Sequence, residues 1–322
     1  MATSSLFLRK GRKTHMSTVA QKNMEKKWRR TPTSRMDHIT AYLMLLPSLV
    51  LLAIFVIWPL FVTLEKSFTD YNFYNSTFVG IKNYYAAFRN PTFLKSFKNI
   101  LRYIALGVPL GMIPPFLFAH LVKHLQGTLG TAVKTALYIP SIIGGVISSV
   151  IFLFILDYQG GLINNIIRSL GGTRINFMAK PDTALVSIVL TSFWGGFGYN
   201  TLYQLAGLNN IPDSYHEAAM LDGCNAFQRM IYVTVPCMKG MFLLCLVNGI
   251  KGTLMMMELP MLMTNGGPNN STITPVLYIY NMFSDMAVSK GYMLACAVIM
   301  MVFCTGLTCI SFFLIKPDKS ME

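Results

Sequence analysis

The chain has 322 residues, of which 53% are hydrophobic and only 12% are charged, and its formal net charge is +14. The hydrophobic residues lie in blocks of roughly twenty, the length that a helix needs to cross a bilayer. This composition excludes a soluble domain with a large core, and it predicts an all-α polytopic membrane protein.

Basic residues concentrate at the start of the chain. Residues 1–38 carry ten Lys and Arg residues, against the acids Glu25 and Asp37. A basic tail before a first span places the N-terminus in the cytoplasm and attracts anionic lipid. A nucleic-acid-binding arm is the alternative, but no folded basic module follows the tail. We therefore predict a basic, largely disordered cytoplasmic tail at 1–38 and a six-span domain at 39–316.

Six hydrophobic segments are predicted to be transmembrane helices. They lie at about 40–63, 98–121, 135–157, 182–205, 238–262 and 290–315. A polar and aromatic segment after the first span is long enough for a small external subdomain. A short basic turn around Lys123 and Lys134 follows the second span. Six crossings starting in the cytoplasm return the C-terminus to the cytoplasm, and they also place the segment between spans four and five there.

Two loops carry recognisable local patterns. In the loop YQGGLINNIIRSLGG, Ile163, Ile166 and Ile167 recur at helical spacing, which predicts a short amphipathic helix. The loop TNGGPNNST before the sixth span combines Gly, Asn and Pro, the residues typical of turns.

The segment YHEAAMLDGCNAFQRMIYVTVP, between spans four and five, begins as a helix. Ser214 and Glu217 match the spacing of a capping box, with Asp213 as an alternative cap. Gly223 stands where a helix would end in the left-handed conformation. Asn225 can then cap a second short helix, Ala226–Val233.

Pro236 can open the fifth span after that second helix. The first helix combines the small residues Ala218 and Ala219 with the acids Glu217 and Asp222. Small residues allow another backbone to approach closely, whereas acids attract basic groups. From the residues alone, a surface helix that merely connects two spans remains an equal alternative to a docking helix.

This segment resembles the EAA motif of ABC importer permeases, which reads EAA, two further residues, DGA and a later proline. Cys224 replaces the usual Ala, Met230 a usual Phe and Val235 a usual Leu. Other segments resemble the family in the family's order, and the run from TNGGPNNST to GYMLA resembles the sugar-importer, maltose-permease-like branch. The resemblance covers all of the chain except the basic tail. The matching motif residues are Glu217, Ala218, Ala219, Asp222, Gly223 and Pro236.

The resemblance implies the type I ABC importer permease fold, with a cytoplasmic EAA coupling segment at 209–236. It implies a heteromeric complex in the bacterial cell membrane, made with a second homologous permease, two cytoplasmic ATPases and an extracytoplasmic solute-binding protein. ATP and Mg²⁺ would be bound by the ATPases and not by this chain. The substrate implied is a carbohydrate, most simply an oligosaccharide, carried inward by alternating access.

Polar and aromatic residues in two spans are candidates for the substrate path. In span five, Asn248, Lys251, Met255 and Glu258 fall on one face of a continuous helix. Ionisable residues in a span face a cavity or a partner, so an ion pair or a bond to the companion permease is the alternative. In span four, Trp194, Phe197 and Tyr199 could stack on a sugar ring, and Asn200 could bind its hydroxyls. Helix packing is the alternative role for these residues.

The sequence indicates a transport subunit and not an enzyme. It has no phosphate-binding GxxxxGK[ST] loop, no plausible arrangement of catalytic residues and no metal-ligand spacing among its six Cys and five His. An ion-coupled secondary carrier or a channel is the main alternative function, and a non-transporting membrane scaffold is another. A secondary carrier gives the EAA segment no role.

Overall fold

The structure is a computed structural model that describes residues 35–72, 75–123, 125, 127–285 and 288–314. Side chains are described for the same residues except 35–38 and 312–314. Most of the basic tail and the end of the sixth predicted span lie outside the described residues. The predictions of tail disorder and of lipid attraction by the tail therefore stay predictions.

The described residues are predominantly helical, as the composition predicts. One antiparallel pair, β1 (Thr69–Tyr71) and β2 (Ser76–Phe78), contains the only strands in this part of the chain. Two short π-helical segments, Ala53–Ile57 and Met230–Thr234, interrupt helical runs. The α-helices in chain order are α1 (Arg35–Leu52), α2 (Trp58–Ser67), α3 (Lys82–Arg89), α4 (Pro91–Lys123), α5 (Gly127–Ile142), α6 (Gly145–Ile155), α7 (Leu162–Ser169), α8 (Pro181–Asn209), α9 (Asp213–Leu221), α10 (Ala226–Arg229), α11 (Val235–Cys237), α12 (Lys239–Leu254), α13 (Glu258–Thr264), α14 (Pro275–Ser284) and α15 (Lys290–Leu314).

Each π-helical segment ends two residues before a proline. Ala53–Ile57 precedes Pro59, and Met230–Thr234 precedes Pro236. A proline inside a helix removes one N–H donor, and its ring clashes with the carbonyl four residues earlier. A π turn is a known way to widen the backbone locally. The helical run therefore continues through both prolines.

Three helical runs are long and apolar enough to cross a membrane: Ile39–Ser67, Pro91–Lys123 and Lys290–Ser311. The number rises to five if each of two bent pairs is one span. Helix α8 has 29 residues, about 43 Å at 1.5 Å per residue, but it is not among these runs. The described helices thus give a multi-pass membrane protein, and the count of six spans stays a prediction.

The third predicted span, 135–157, is wrong as a single helix. Helix α5 ends at Ile142, α6 begins at Gly145, and the two are bent by 97°. Pro140 and the pair Gly144–Gly145 lie at this bend, where the chain is easily turned. Lys134, predicted to lie in a basic turn, is inside α5.

The fifth predicted span, 238–262, is also broken. Helix α12 ends at Leu254, and α13 begins at Glu258. The carbonyl of Met256, freed by this break, accepts a hydrogen bond from Thr274 Oγ1 at 2.8 Å. At its other end, α12 meets Ala226–Cys237 at a bend of 69°. Pro236 therefore lies inside the preceding helical run and does not open the span.

The core of the larger compact unit, residues 63–322, is formed mainly by α4, α8 and α12. Ile100 and Tyr103 of α4 pack with Ile188 of α8 and Leu254 of α12. Gln204 of α8 is fully buried, and its Nε2 donates to the carbonyl of Met112 in α4 at 3.0 Å. A polar side chain with a partner thus fixes α8 against α4 inside an otherwise apolar contact.

The segment between α2 and α4 forms a small folded unit, as predicted. Its two strands are followed by α3, and Asn83 of α3 donates from Nδ2 to the carbonyls of Ser67 and Thr69, both at 2.9 Å. This bond pair ties the helix to the start of the hairpin. The external location of the unit remains a prediction.

The predicted turn loop TNGGPNNST is held against α4. Asn265, Asn269 and Asn270 all adopt positive φ, as the turn-rich composition favours. Asn99 of α4, 1% exposed, donates from Nδ2 to the carbonyls of Asn270 at 2.8 Å and Ile273 at 3.0 Å. One buried amide therefore holds the end of this loop and the residue that follows it against α4.

We predict that Asn99→Ala destabilises the protein by about 1–3 kcal/mol, because it leaves the partner carbonyls without this donor. Thermal unfolding of the detergent-purified protein measures the effect. Asn165→Ala is the matched control, because Asn165 also donates to a backbone carbonyl, that of Gly160 at 3.1 Å, but is exposed. Equal shifts in the two variants would contradict the role of Asn99.

Candidate functional site

The predicted coupling segment starts with α9, but its predicted N-terminal cap is wrong. Pro212 occupies the cap position, and no side chain caps the helix. Ser214 and Glu217, predicted to form a capping box, lie inside the helix and are exposed, and Asp213 is the first helical residue. Proline fixes φ near the value that a helix start needs, so Pro212 sets the entry without a side-chain bond.

The end of α9 confirms the prediction for Gly223. Its φ is +81°, and nothing lies within 4 Å of the position that a Cβ would take. The Gly223 N–H donates to the carbonyl of Met220 at 3.0 Å, and the Cys224 N–H donates to that of Ala219 at 2.9 Å. This pair of bonds is the Schellman arrangement, which favours glycine because of its backbone angle.

Asn225 caps the second helix of the segment, as predicted. Its Oδ1 accepts from the Gln228 N–H at 2.9 Å, and Gln228 Oε1 accepts from the Asn225 N–H at 2.8 Å. The reciprocal Gln228 was missed, although the N-x-x-Q spacing carries the capping-box pattern. The helical run does not end at Val233 but continues through the π segment to Cys237.

The coupling segment exposes apolar side chains beside its acids. Tyr215, Met220, Leu221 and Phe227 are all exposed, and Leu221 is 90% exposed. Among the predicted motif residues, Glu217, Ala218, Asp222 and Gly223 are also exposed, whereas Ala219 is buried. Exposed apolar groups on an otherwise polar segment are typical of a surface that binds another protein.

A cavity of about 220 Å³ lies between α4, α8 and α12. Glycines from all three helices line it: Gly107 and Gly111, Gly196, and Gly249 and Gly252. Without side chains at these positions, the helices leave an open volume at their common contact.

Polar groups line the same cavity. The amide of Asn200 is close to two of these glycines. A Cβ atom would lie 3.5 Å from Asn200 Nδ2 if added at Gly111, and 3.6 Å from it if added at Gly196. Tyr199, Asn200 and Asn248, three of the predicted substrate-path residues, line the cavity. Tyr103, a residue that the sequence analysis missed, joins them from α4.

The other predicted path residues lie elsewhere. Trp194 packs edge-on against Phe152 at a centroid distance of 5.5 Å, and Phe197 packs against Phe118 at 5.6 Å. Both line a more apolar hollow beside α5. The structure thus gives these two aromatics packing contacts, which was the alternative to a sugar contact.

The predicted polar face of span five is wrong as a continuous stripe. Asn248 and Lys251 belong to α12, Met255 follows its end, and Glu258 is the first residue of α13. The Glu258 carboxylate lies against Gly145, where a Cβ would overlap Oε2. Glu258 therefore lies beside the first turn of α6, where the helix dipole favours a carboxylate.

The fold and the two sites define a helical membrane transport subunit. The model of the family described as "Binding-protein-dependent transport system inner membrane component" matches residues 107–316. The chain belongs to this family and is a membrane permease. This membership does not favour an ion-coupled carrier.

Two curated relatives and one solved structure are similar to the chain. The sulfoquinovosyl glycerol transport system permease protein SmoG of Agrobacterium fabrum is 30% identical over 270 residues, 82% of this chain and 86% of the relative. The arabinooligosaccharides transport system permease protein AraP of Bacillus subtilis is 30% identical over 272 residues, 81% and 83%. A bacterial alginate ABC transporter, crystallised in complex with its alginate pentasaccharide-bound periplasmic protein, matches with a TM-score of 0.71 at 22% identity, over 91% of this chain and 94% of that chain.

Gly198 is required by the contact between α8 and α5. A Cβ on Gly198 would overlap the carbonyl oxygen of Leu137. We predict that Gly198→Ala forces the helices apart and lowers stability by about 1–3 kcal/mol. Gly195→Ala is the control, because nothing lies within 4 Å of that position. Thermal unfolding of both purified variants tests the contact, and an unchanged Gly198→Ala protein would contradict it.

Proposed function

We propose that the chain is one permease of an ATP-driven importer that carries a carbohydrate, most simply an oligosaccharide, into the cytoplasm. Its partners would be a second homologous permease, two cytoplasmic ATPases that bind ATP and Mg²⁺, and an extracytoplasmic solute-binding protein. Family membership carries this proposal, and the substrates named for SmoG, AraP and the alginate transporter support its carbohydrate class. The periplasmic protein in the alginate complex supports the binding-protein partner. Both termini and the coupling segment would be cytoplasmic.

The coupling segment is proposed to dock on an ATPase. Glu217, Ala218, Asp222 and Gly223 are exposed for that contact, and Ala219 anchors the helix from its buried side. The Schellman turn at Gly223 fixes the direction in which α10 leaves α9. Because α9 follows α8 after three residues, movement of a docked ATPase would reach the cavity between α4, α8 and α12 through a short connection.

The cavity between α4, α8 and α12 is proposed to be part of the sugar path. The amides of Asn200 and Asn248 can donate to and accept from sugar hydroxyls. The hydroxyls of Tyr103 and Tyr199 already donate, to the Thr272 carbonyl and to the Tyr203 hydroxyl, so they can act as acceptors. At about 220 Å³ the cavity is smaller than most ligand sites, so an oligosaccharide would need the helices to separate or the companion permease to complete the site. Alternating access includes such a separation.

We predict that Gly223→Val weakens coupling while leaving membrane insertion intact. A Cβ at positive φ costs about 1 kcal/mol or more, so the turn shifts and ATPase association falls about fivefold. Co-purification with the ATPase and uptake per assembled complex are the measurements, in cells that co-express the proposed partner subunits.

Gly171→Val is the matched control for this change. Gly171 has φ +82°, and nothing lies within 4 Å of its Cβ position, but it follows α7 and lies outside the coupling segment. Its substitution carries the same backbone cost, so uptake per complex should stay normal. If both variants behave alike, backbone strain explains the defect and the docking role of Gly223 is excluded.

We predict that Asn200→Leu raises the half-saturating substrate concentration for uptake about tenfold or more, because the cavity loses an amide that can bond a hydroxyl. Complex yield and ATP hydrolysis stimulated by the loaded binding protein should change less. Glu258→Gln is the comparison, because Glu258 lies outside the cavity and should leave half-saturation unchanged. Normal half-saturation in Asn200→Leu would remove this residue from the substrate path.

A further inference from the structure

A second cavity, of about 390 Å³, lies between the end of α4 and the coupling segment. Five of its eight lining residues carry ionisable side chains. Four of them are cationic or become cationic on protonation, and one, Asp213, is acidic. The basic lining residues are His120 and Lys123 of α4, His216 of α9 and Arg229 of α10.

Arg229 has capacity to bind an anion in this cavity. Its Nε is buried and has no hydrogen-bond partner among the described residues. A guanidinium presents a planar set of donors that matches phosphate oxygens, so a buried Nε without an acceptor indicates a missing anionic group. The exposed carboxylate of Asp213 offers at most a partial substitute, because its single negative charge cannot balance both Arg229 and Lys123.

Lys123 supplies a second donor beside Arg229. Its ammonium donates to the carbonyl of Leu208 at the end of α8, at 3.3 Å. An ammonium has three donors, so this bond leaves capacity for another acceptor. The same bond fixes the ammonium at the wall of the cavity, where a bound anion would meet a positioned charge.

The cavity lies at the end of a span-length helix. Lys123 is the last residue of Pro91–Lys123, which is long and apolar enough to cross a membrane. The end of such a helix reaches the depth of the lipid headgroups. Phosphate groups are therefore abundant at the level where these basic side chains converge.

We propose that this cavity binds a phosphate group through Arg229 and Lys123, with His120 and His216 beside it. The phosphate belongs either to an anionic phospholipid or to a soluble phosphate compound. This binding is a property of the chain itself and does not require an ATPase. A phosphate held here would connect α4 to α9 and α10, and would thereby brace the coupling segment from behind.

Native mass spectrometry of the full-length purified protein tests the proposal with two probes, phosphatidylglycerol and inorganic phosphate. Arg229→Leu should weaken binding of the phosphate-bearing probe at least tenfold. Arg168→Leu is the matched control, because Arg168 is also in the last turn of a helix but is exposed and far along the chain in α7. The basic tail is identical in both variants, so its general attraction for anionic lipid cancels.

Asp213→Asn provides a test in the opposite direction. Removing the competing carboxylate should tighten binding of the same probe, a result that partial unfolding cannot produce. Tighter binding of phosphatidylglycerol alone identifies a lipid site, and tighter binding of both probes identifies a general phosphate site. The proposal is overturned if neither probe responds to Arg229→Leu and Asp213→Asn, or if Arg168→Leu weakens binding equally. If Arg229→Leu loses phosphate binding but still co-purifies with the ATPase at the normal level, the bracing role is rejected and the binding site stands.

Discussion

Every break in a membrane helix must satisfy the backbone groups that it frees, because the bilayer core offers no water to bond them. This constraint explains where the chain can bend. At the break between α12 and α13, Thr274 Oγ1 donates to the freed carbonyl of Met256. At the break between α5 and α6, the Ile143 N–H donates to the carbonyl of Pro140 at 3.2 Å, and the Ser148 N–H donates to that of Gly144 at 3.0 Å. At both of these breaks, a donor close along the chain or packed against the break bonds a backbone carbonyl there.

Glycine has two opposite uses around these helices. Gly198 lets α8 touch the backbone of α5, and a methyl group there would overlap a carbonyl oxygen. Gly111 and Gly196 instead have no side chain, and the amide of Asn200 lies next to the space that a side chain there would occupy. The absence of a Cβ atom therefore allows a tight helix contact at Gly198 and leaves open volume at Gly196. The sequence SFWGGFGYN contains both uses, but spacing alone does not separate them.

The sequence correctly predicted the features that depend on neighbouring residues, such as a turn or a helix cap, and the helical membrane class that depends on total hydrophobicity. Gly223 and Asn225 were recognisable because a left-handed turn and a helix cap need only their neighbours. The capping box at Ser214 failed because Pro212, one residue before the first helical residue, set the helix start instead. The stripe ending in Glu258 failed because hydropathy measures burial in lipid and carries no information on a bend. The first turn of α6, beside which Glu258 lies, is more than a hundred residues away along the chain, and only the fold brings the two close.

The connection between the two candidate sites depends on α8 moving as one body. Asn200 at the cavity and Asn209 at the end of α8 are nine residues apart, about 13 Å along the axis. Between them, the buried Gln204 bonds α8 to α4, and the carbonyl of Leu208 accepts a hydrogen bond from Lys123 of α4. Both bonds cross the same pair of helices, so α4 and α8 resist sliding past each other. A displacement of the coupling segment would therefore shift this pair together, and the contact with α12, which carries Asn248 on the opposite wall, is where the cavity would open.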